Sequence, residues 1–390
     1  MKIAFIGQKG IPAKLGGVEK HVSDLAVRLA DQGHEVYVYA RSNYTDKKQK
    51  EYFGVKIINL PSIPTKHLDA VSHTFLACAD AILRRNFDVI HFHSIGPSSL
   101  LWMIKVFKPR TPVVATFHSQ CYYHQKWGLF AKMYLKFGEY ICCKLADKTI
   151  TVSQTIKKYA EEKYHIKAIS IPNGVNMPAP VQANIIKKNW NLDRDSYIFL
   201  ATRLIRHKGV HYAIDSYKKL HTDKKLVIAG EGFFTDDYAQ ELKNLAGDNS
   251  NIIFVGKQFG ACLAELFSNA YLFVQPSESE GLSIALLEAM SFGRAVLVSD
   301  IPENKEAAED AGFYFKNKNV EDLSRQMDYL LKHKELVQEY GKNGLANVEK
   351  NFNWEDLTKR IIAVYDEVMI LHQDKNKKRK FKSAILRSEI

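Results

Sequence analysis

The fold is decided by the stretch Tyr271-Leu-Phe-Val-Gln-Pro-Ser-Glu-Ser-Glu-Gly-Leu-Ser-Ile-Ala-Leu-Leu-Glu-Ala-Met290. Its first four residues form an apolar run typical of a buried strand, and Pro276 ends that strand because proline has no amide to donate to a ladder. A short polar loop follows, and residues 284–290 are good helix formers. The pattern predicts a strand, a loop and a helix, with Glu280 at the mouth of the helix and Glu288 about two turns inside it.

The loop has the chemistry of an anion site, because the amides of residues 281–284 lie where the helix dipole favours negative charge. Two surface glutamates on an ordinary strand–loop–helix unit are the alternative. The whole string, with its E-G-L-S turn and L-L-E-A-M run, resembles the donor-sugar signature of retaining, two-domain glycosyltransferases of family 4. The resemblance implies that Glu280 lies by the donor sugar, that Glu288 binds the ribose hydroxyls, and that the donor loop includes Gly281, Leu282 and Ser283. The commoner form of this loop in the family is E-G-F-G. This chain has Leu282 and Ser283 in the last two places, a variation that bears on which sugar is bound.

Length and composition predict a globular protein with two domains. The chain has 390 residues, of which 46% are hydrophobic and 25% charged. No run approaches the ~18–20 apolar residues of a membrane-spanning helix, which excludes an integral helical membrane protein. The chain enters a strand at Lys2, so we expect no signal peptide. Five scattered cysteines, an odd number without metal-site spacing, indicate a reducing cytoplasm.

The positive charge belongs to the first half of the chain and to its end. Residues 1–180 carry 25 basic and 13 acidic residues, residues 181–372 carry 23 and 28, and residues 373–390 carry 7 and 2. Residues 89–138 contain no acid. This asymmetry predicts an anionic partner: a membrane surface, a nucleic acid or a polyphosphate. No helix-turn-helix or RNA-recognition motif accompanies the charge, so we expect no nucleic acid.

Residues 120–144 are rich in aromatic and basic side chains. They form either an amphipathic helix that packs on a sheet or an interfacial element whose rings lie at lipid headgroup depth. The acid-free window favours the second interpretation and a peripheral location at the inner face of the cell membrane. The residues concerned are Tyr122, Tyr123, His124, Lys126, Trp127, Phe130, Lys132, Tyr134, Lys136 and Phe137.

The N-terminus reads as a β-α-β unit: a strand over 2–6, a helix over 18–32 and a strand over 35–40. Gly16 and Gly17 allow close backbone approach at the helix N-terminus, although a plain turn is the alternative. No G-x-G-x-x-G is present, so this is not a dinucleotide fingerprint. The string from residue 10 to 19 resembles the N-terminal loop of family members that build bacterial surface polysaccharides, rhamnosyltransferases among them. That resemblance implies that the paired glycines approach the donor phosphate.

Histidines end two predicted strands of the first half. His91 and His93 share one face of the strand over 87–93, and no third ligand at a suitable spacing supports a metal site. We expect them to line the cleft, since open α/β sheets bind ligands at the carboxyl ends of strands. His118 ends the strand over 113–119, and on its own it is a structural or solvent-facing residue. Its T-F-H-S context resembles the family element whose histidine touches the donor sugar.

Two cations precede a helix in the second half. Arg203 and Lys208 suit a pyrophosphate, with generic surface charge as the alternative. Their spacing resembles the family's G-R-L-x-x-x-K-G, with Thr202 in place of the glycine, and implies a role in binding the donor phosphates. The only D-x-D, residues 193–195, lies in a predicted linker over 176–194, so we expect neither a metal ion nor another cofactor. The expected substrate is a UDP-, GDP- or dTDP-sugar.

These observations predict an α/β protein of the GT-B type, with two doubly wound Rossmann-like domains that face each other across a cleft. The acceptor-side domain spans 1–180, the nucleotide-sugar domain 181–355, a helix crossing back to the first domain 356–372, and a basic tail, either disordered or a membrane tether, 373–390. The resemblance implies retaining, metal-independent transfer of a sugar from a nucleotide-sugar donor, and we expect the acceptor to be a lipid-linked saccharide of cell-surface polysaccharide synthesis. A sugar-nucleotide 2-epimerase of the same fold and a non-catalytic membrane- or nucleic-acid-binding adaptor are the alternatives.

Overall fold

The computed structural model describes residues 1–13, 16–123, 128–232 and 236–388. The chain divides into two compact units. Unit 1 comprises Met1–Pro172 and Glu355–Ile390, and unit 2 comprises Asn173–Trp354.

Unit 1 is built on an eight-stranded sheet in the order β3-β4-β2-β1-β5-β6-β7-β8. Every neighbouring pair is parallel except β3 and β4, which form an antiparallel hairpin. The central strands are buried along almost their whole length, as parallel strands covered on both faces must be. The strands are β1 (Lys2–Ile6), β2 (Glu35–Arg41), β3 (Glu51–Tyr52), β4 (Val55–Leu60), β5 (Val89–His93), β6 (Val113–Phe117), β7 (Lys148–Thr151) and β8 (Ile169–Ser170).

Helices connect these strands, as the right-handed crossovers of a parallel sheet require. They are α1 (Gly17–Asp31), α2 (Asp69–Arg84), α3 (Ile95–Ser98), α4 (Leu101–Phe107), α5 (Leu129–Lys144) and α6 (Gln154–Tyr164), and α15 (Trp354–Ser388) returns to the unit from the far end of the chain. The return is fixed in the core, since Tyr365 is fully buried and its hydroxyl lies 2.7 Å from Nδ1 of His91.

Unit 2 contains a six-stranded sheet in the order β11-β10-β9-β12-β13-β14, and all of its strand pairs are parallel. Its apolar core lies between the sheet and the helices. The strands are β9 (Tyr197–Ala201), β10 (Lys225–Ala229), β11 (Ile252–Gly256), β12 (Leu272–Gln275), β13 (Val296–Ser299) and β14 (Phe313–Phe315). The helices are α7 (Ile185–Trp190), α8 (Val210–Tyr217), α9 (Asp236–Ala246), α10 (Gly260–Asn269), α11 (Ile284–Ser291), α12 (Pro302–Ala308), α13 (Val320–Lys332) and α14 (Lys334–Asn351).

The stretch over 176–194, predicted as a linker, contains the short helix α7. A distant residue makes this short helix possible: the Glu265 carboxylate accepts hydrogen bonds from the amides of Asn184, Ile185 and Ile186 at 2.7–3.1 Å. An acceptor on the first-turn amides replaces the missing local cap.

Unit 2 also begins before residue 181. The Asn173 side chain donates to the carbonyl of Leu282 at 3.0 Å, and the amide of Val175 donates to the carbonyl of Phe352 at 3.0 Å. Gly174 packs so closely on the Trp354 ring that an added Cβ would lie 2.3 Å from it. These contacts tie residues 173–175 to unit 2.

The basic end of the chain is helical, because α15 continues to Ser388. Of the two alternatives for residues 373–390, a disordered segment or a membrane tether, the helix disagrees with the first, and the second stays a prediction. Among the described residues, no helix combines the length and apolar character needed to cross a bilayer.

The segment over 120–144 forms a 3-10 turn at Cys121–Tyr123 and then α5. Leu129, Phe130, Met133 and Phe137 of α5 are exposed, while Leu135 and Ile141 are buried against the unit. The three predicted interfacial residues His124, Lys126 and Trp127 lie outside the described residues, as does the side chain of Tyr123.

Candidate donor site and histidine cluster

The candidate site in unit 2 is built from loops at the carboxyl ends of β9 and β12, adjacent parallel strands of the sheet. The loop after β9 ends at Gly209, which has φ 67° and precedes α8. An added Cβ at Gly209 would lie 1.9 Å from the Pro276 carbonyl oxygen, so only glycine lets the two loops meet here. The two motifs that the sequence singled out are therefore brought together.

The contact between the motifs is an ion pair. Nζ of Lys208 lies 2.5 Å from Oε1 of Glu280, and the two side chains are only 13% and 8% exposed. Glu278, in the same loop, accepts from the Tyr212 hydroxyl at 2.9 Å and pairs with Lys318 at 3.0 Å. The loop thus carries two acids, and each is neutralised by a cation of unit 2.

The electrostatics of the pair follow from its burial. Burial opposes ionisation of Glu280, but the charge and hydrogen bond of Lys208 outweigh it, so the pKa of this carboxyl lies below its usual value. Burial lowers the pKa of Lys208, Glu280 opposes that effect, and nearby Arg203 adds to it. Burial, and then the charge of Lys208, lower the pKa of neighbouring His207 to about 4. The site therefore concentrates positive charge around one carboxylate.

A buried polar network fixes the loop between β12 and α11. The hydroxyl of Ser283 donates to Oε1 of Gln275 at 2.5 Å and accepts from the amide of Leu286, so it also caps α11. Gln275 in turn donates to Asn304 at 2.9 Å, and Asn304 donates to the carbonyl of Ser299 at 3.1 Å. The loop is thus held rigidly before any ligand arrives.

The other predicted donor residues lie on the same loop and helix. Gly281 and Leu282 are buried directly before Ser283, and Glu288 lies in α11 with a partly exposed side chain. Ala285 and Glu288 are three residues apart and share the partly exposed face of α11, whereas Leu286 and Leu287 are buried.

Arg203 is the second cation at this edge of the sheet. It directly follows Thr202 after β9, is partly exposed, and contributes to the electrostatics of Lys208. Among residues 1–13, 16–123, 128–232 and 236–388, no hydrogen bond or ion pair engages its guanidinium. A planar cation without a protein acid beside it suits a bidentate phosphate contact.

Sequence reasoning missed Glu303, in the first turn of α12. Burial raises the pKa of its carboxyl, and the negative charge of Glu280 raises it further. The sequence signal for Glu303 was its position. It follows the proline at the start of α12, shortly after β13, and β13 is the strand beside β12. Glu303 is the residue to examine for acid chemistry next to Glu280.

Unit 1 contains the predicted site residue His118, which follows β6 and is buried. Its Nε2 atom lies 3.1 Å from Nδ1 of His93, at the end of β5. His21, in the second turn of α1, faces both, with its ring centroid 5.0 Å from that of His118 and 5.7 Å from that of His93. We call these three residues the histidine cluster.

The expectation that His91 and His93 line a ligand cleft is wrong, since both are wholly buried within unit 1. The two ring nitrogens of His91 each lie 2.7 Å from a hydroxyl, that of Tyr365 or that of Thr116. Burial holds the pKa values of His91, His93 and His118 well below the usual value, and their neighbouring histidines add to the effect. Sequence reasoning also missed His21, whose only signal was its helical position after Gly17.

The paired glycines lie where the sequence placed them. Gly16 adopts φ 88° and precedes α1, which begins at Gly17. Oε1 of Glu19 in α1 accepts the amide of Lys9 at 3.3 Å, which ties the helix start to the loop after β1. Whether these glycines meet a phosphate stays a prediction.

The chain is thus an α/β protein of two Rossmann-like units, in which the candidate residues follow the carboxyl ends of parallel strands. The model for Glycosyltransferase Family 4 matches residues 15–177, and that for Glycosyl transferases group 1 matches residues 181–347. The two matches together cover most of the chain. The protein therefore belongs to the family 4 glycosyltransferases of the GT-B fold class, and it transfers sugar from a nucleotide-sugar donor.

Relatives and solved structures agree with this assignment. The phosphatidyl-myo-inositol mannosyltransferase of Mycolicibacterium smegmatis is 26% identical over 364 residues, with 90% of each chain covered. The N,N'-diacetylbacillosaminyl-diphospho-undecaprenol alpha-1,3-N-acetylgalactosaminyltransferase of Campylobacter jejuni is 30% identical over 185 residues, 47% of each chain. The structure of HepE from Anabaena in complex with UDP-glucose superposes with a TM-score of 0.78 at 18% identity, covering 94% of this chain and 100% of that one. The predicted fold class of two Rossmann-like α/β domains is confirmed.

Proposed function

We propose that the protein transfers a sugar to a lipid-linked saccharide in cell-surface polysaccharide synthesis, with retention of anomeric configuration and without a metal ion. The observation that carries the proposal is the buried Lys208–Glu280 pair, which joins the phosphate-type motif to the sugar-type motif of unit 2. The Lys208 cation suits the diphosphate of a nucleotide sugar, and the Glu280 carboxylate beside it suits the hydroxyls of the sugar.

The roles follow from the chemistry of each group. Lys208, Arg203 and the amides at the start of α11 would stabilise the departing diphosphate in place of a metal ion. The acceptor hydroxyl would attack the anomeric carbon from the side on which the bond to the diphosphate breaks, and its proton would pass to the departing phosphate oxygen.

The remaining roles are those that the family resemblance implies. Glu280 and His118 would orient the sugar and stabilise its developing positive charge, and Glu288 would bind the ribose hydroxyls. Gly281, Leu282 and Ser283 would line the donor, and Gly16 and Gly17 would approach its phosphates. No cofactor beyond the nucleotide sugar is required.

A lipid-linked acceptor at the inner face of the membrane is supported by the surface of α5. Phe130 is 84% exposed, and Leu129, Met133 and Phe137 lie beside it at helical spacing, close to the basic Lys136. Exposed apolar side chains mixed with lysines suit a surface of anionic lipid. The M. smegmatis relative is named for phosphatidyl-myo-inositol and the C. jejuni relative for a diphospho-undecaprenol-linked sugar, both of them lipids.

The donor is tested by thermal unfolding with nucleoside diphosphates and UDP-, GDP- and dTDP-sugars. One base should raise the midpoint by mass action, and the rise should be lost in Lys208→Ala and Glu288→Ala. Lys219→Ala is the matched control, because it removes a cation of unit 2 that lies just beyond the C-terminus of α8 and pairs with Glu321 of α13. A rise that survives in Lys208→Ala, or no rise with any donor in folded protein, would contradict the proposed site.

The membrane surface is tested separately by sedimentation with vesicles of anionic or neutral lipid. The wild type should bind anionic vesicles at low salt and lose them at high salt. Replacing Phe130 and Phe137 by serine should weaken this binding, whereas Phe53→Ser, which changes an exposed ring between β3 and β4, should not. Equal binding by all three proteins would exclude α5 as the membrane surface.

Product analysis separates transfer from the alternatives. With donor and a lipid-linked saccharide, transfer gives free nucleoside diphosphate and a longer glycan of retained configuration, in buffer containing a chelator. An epimerase would return isomerised donor without acceptor, and a binding adaptor would leave the donor unchanged.

A further inference from the structure

The histidine cluster brings three imidazoles from three separate elements to one point in unit 1. His21 comes from α1, His93 from β5 and His118 from the end of β6, and all three are buried. One ring nitrogen of each lies within 4.8 Å of the corresponding nitrogens of the other two. Three imidazoles that converge on one point form a common ligand set for zinc.

The spacing of two of the ligands already suits a metal ion. Two nitrogens at the Zn–N distance of about 2.0–2.1 Å in tetrahedral geometry lie roughly 3.3 Å apart. Nδ1 of His93 and Nε2 of His118 are 3.1 Å apart. To complete the set, the third imidazole, that of His21, has to approach by up to about 1.5 Å.

Hydrogen bonding within the protein does not account for the cluster. Nε2 of His93 is buried and has no hydrogen-bond partner among the residues that the structure describes. Neighbouring His91, by contrast, has a hydroxyl beside each ring nitrogen.

We propose that His21, His93 and His118 bind one divalent transition ion of the zinc type, with a fourth position left for water. This ion is not a cofactor for transfer. Its binding occupies the His118 imidazole and therefore inhibits the enzyme, a consequence that rests on the proposed contact of His118 with the donor sugar. Zinc and cobalt fit the nitrogen ligands, whereas magnesium and calcium, which prefer oxygen, do not.

The site is tested on the full chain without donor. After chelator treatment, calorimetric titration with Zn²⁺ should show one ion per chain, and X-ray absorption of the one-to-one complex should show imidazole nitrogens at about 2.0 Å. His21→Gln and His93→Gln should each weaken binding by at least about tenfold. His73→Gln is the matched control, because His73 is a buried histidine of α2 in the same unit.

The outcomes separate the metal site from the proposed function. No binding by the wild type, unchanged binding in both cluster variants, or sulfur at about 2.3 Å around the zinc would overturn the site. The absorption spectrum of the wild type decides the question even if a variant does not fold. If nitrogen-bound zinc leaves donor binding and transfer unchanged, the site stands and the contact of His118 with the sugar is wrong.

Discussion

Replacing Glu280 by glutamine should destabilise unit 2 strongly, because it leaves the Lys208 cation buried without its partner. At 2.5 Å and an effective dielectric constant of ~20, the gross attraction is roughly 7 kcal/mol, and the desolvation of both ions offsets much of it. Removing one partner of a buried pair typically costs about 3–5 kcal/mol. Since both side chains keep slight exposure, we expect about 3 kcal/mol, a shift of about 6–12 °C in the melting temperature of unit 2.

The assay is urea unfolding of the wild type, Glu280→Gln, Lys208→Met and the double variant. The double variant should recover most of the stability, since an uncharged pair leaves no buried charge. Glu321→Gln, which breaks the exposed pair with Lys219, should unfold like the wild type. If Glu280→Gln loses less than about 1 kcal/mol, or if the double variant is as unstable as Glu280→Gln, the reasoning from a buried pair is wrong.

Glu280→Gln should lower the stability of unit 2 but raise its affinity for a nucleoside diphosphate. Glu280→Gln removes a negative charge beside Lys208, so a nucleoside diphosphate should bind several-fold more tightly while the rate of sugar transfer falls. Calorimetry with the diphosphate and a turnover assay measure the two effects independently. Weaker binding of the diphosphate would mean that Glu280 supports the phosphate site instead of opposing it.

Three further changes test the packing and the acid response. Gly209→Ala should cost more than about 2 kcal/mol of unfolding free energy, because φ is 67° and the new Cβ would meet Pro276, whereas Gly256→Ala, with φ 67° and open space, should cost only about 1 kcal/mol. Burial lowers the pKa of His73 to about 4. The contribution of its neutral imidazole to stability is therefore complete above about pH 6.5 and is lost as the pH falls towards 4. In His73→Gln, the free energy of unfolding in urea should vary less across that window, by up to about 3 kcal/mol. Asn304→Ala should cost about 2 kcal/mol in the same assay, because it leaves the side-chain amide of Gln275 unpaired. An unchanged pH slope, or equal costs at the two glycines, would contradict these assignments.

Elements encoded by local pattern were predictable. The strand, loop and helix around Glu280 follow from an apolar run, a proline and a run of helix formers, and the structure places them at Leu272–Gln275 and Ile284–Ser291. The parallel sheets follow from strands without polar alternation. The helix α7 was not predictable in this way, because the acceptor for its first amides is Glu265, which lies about 80 residues further along the chain.

The same distinction explains which parts of the candidate site escaped prediction. Each motif is short, so Lys208 and Glu280 could be found separately, but their contact spans 72 residues and depends on Gly209 letting two loops meet. The sequence shows no third metal ligand near His93 along its own strand. Its partners His21 and His118 come from α1 and from the end of β6. A strand-by-strand search finds ligands that are neighbours in sequence. It misses those that adjacent parallel strands bring together at their carboxyl ends, the edge at which such sheets bind their ligands.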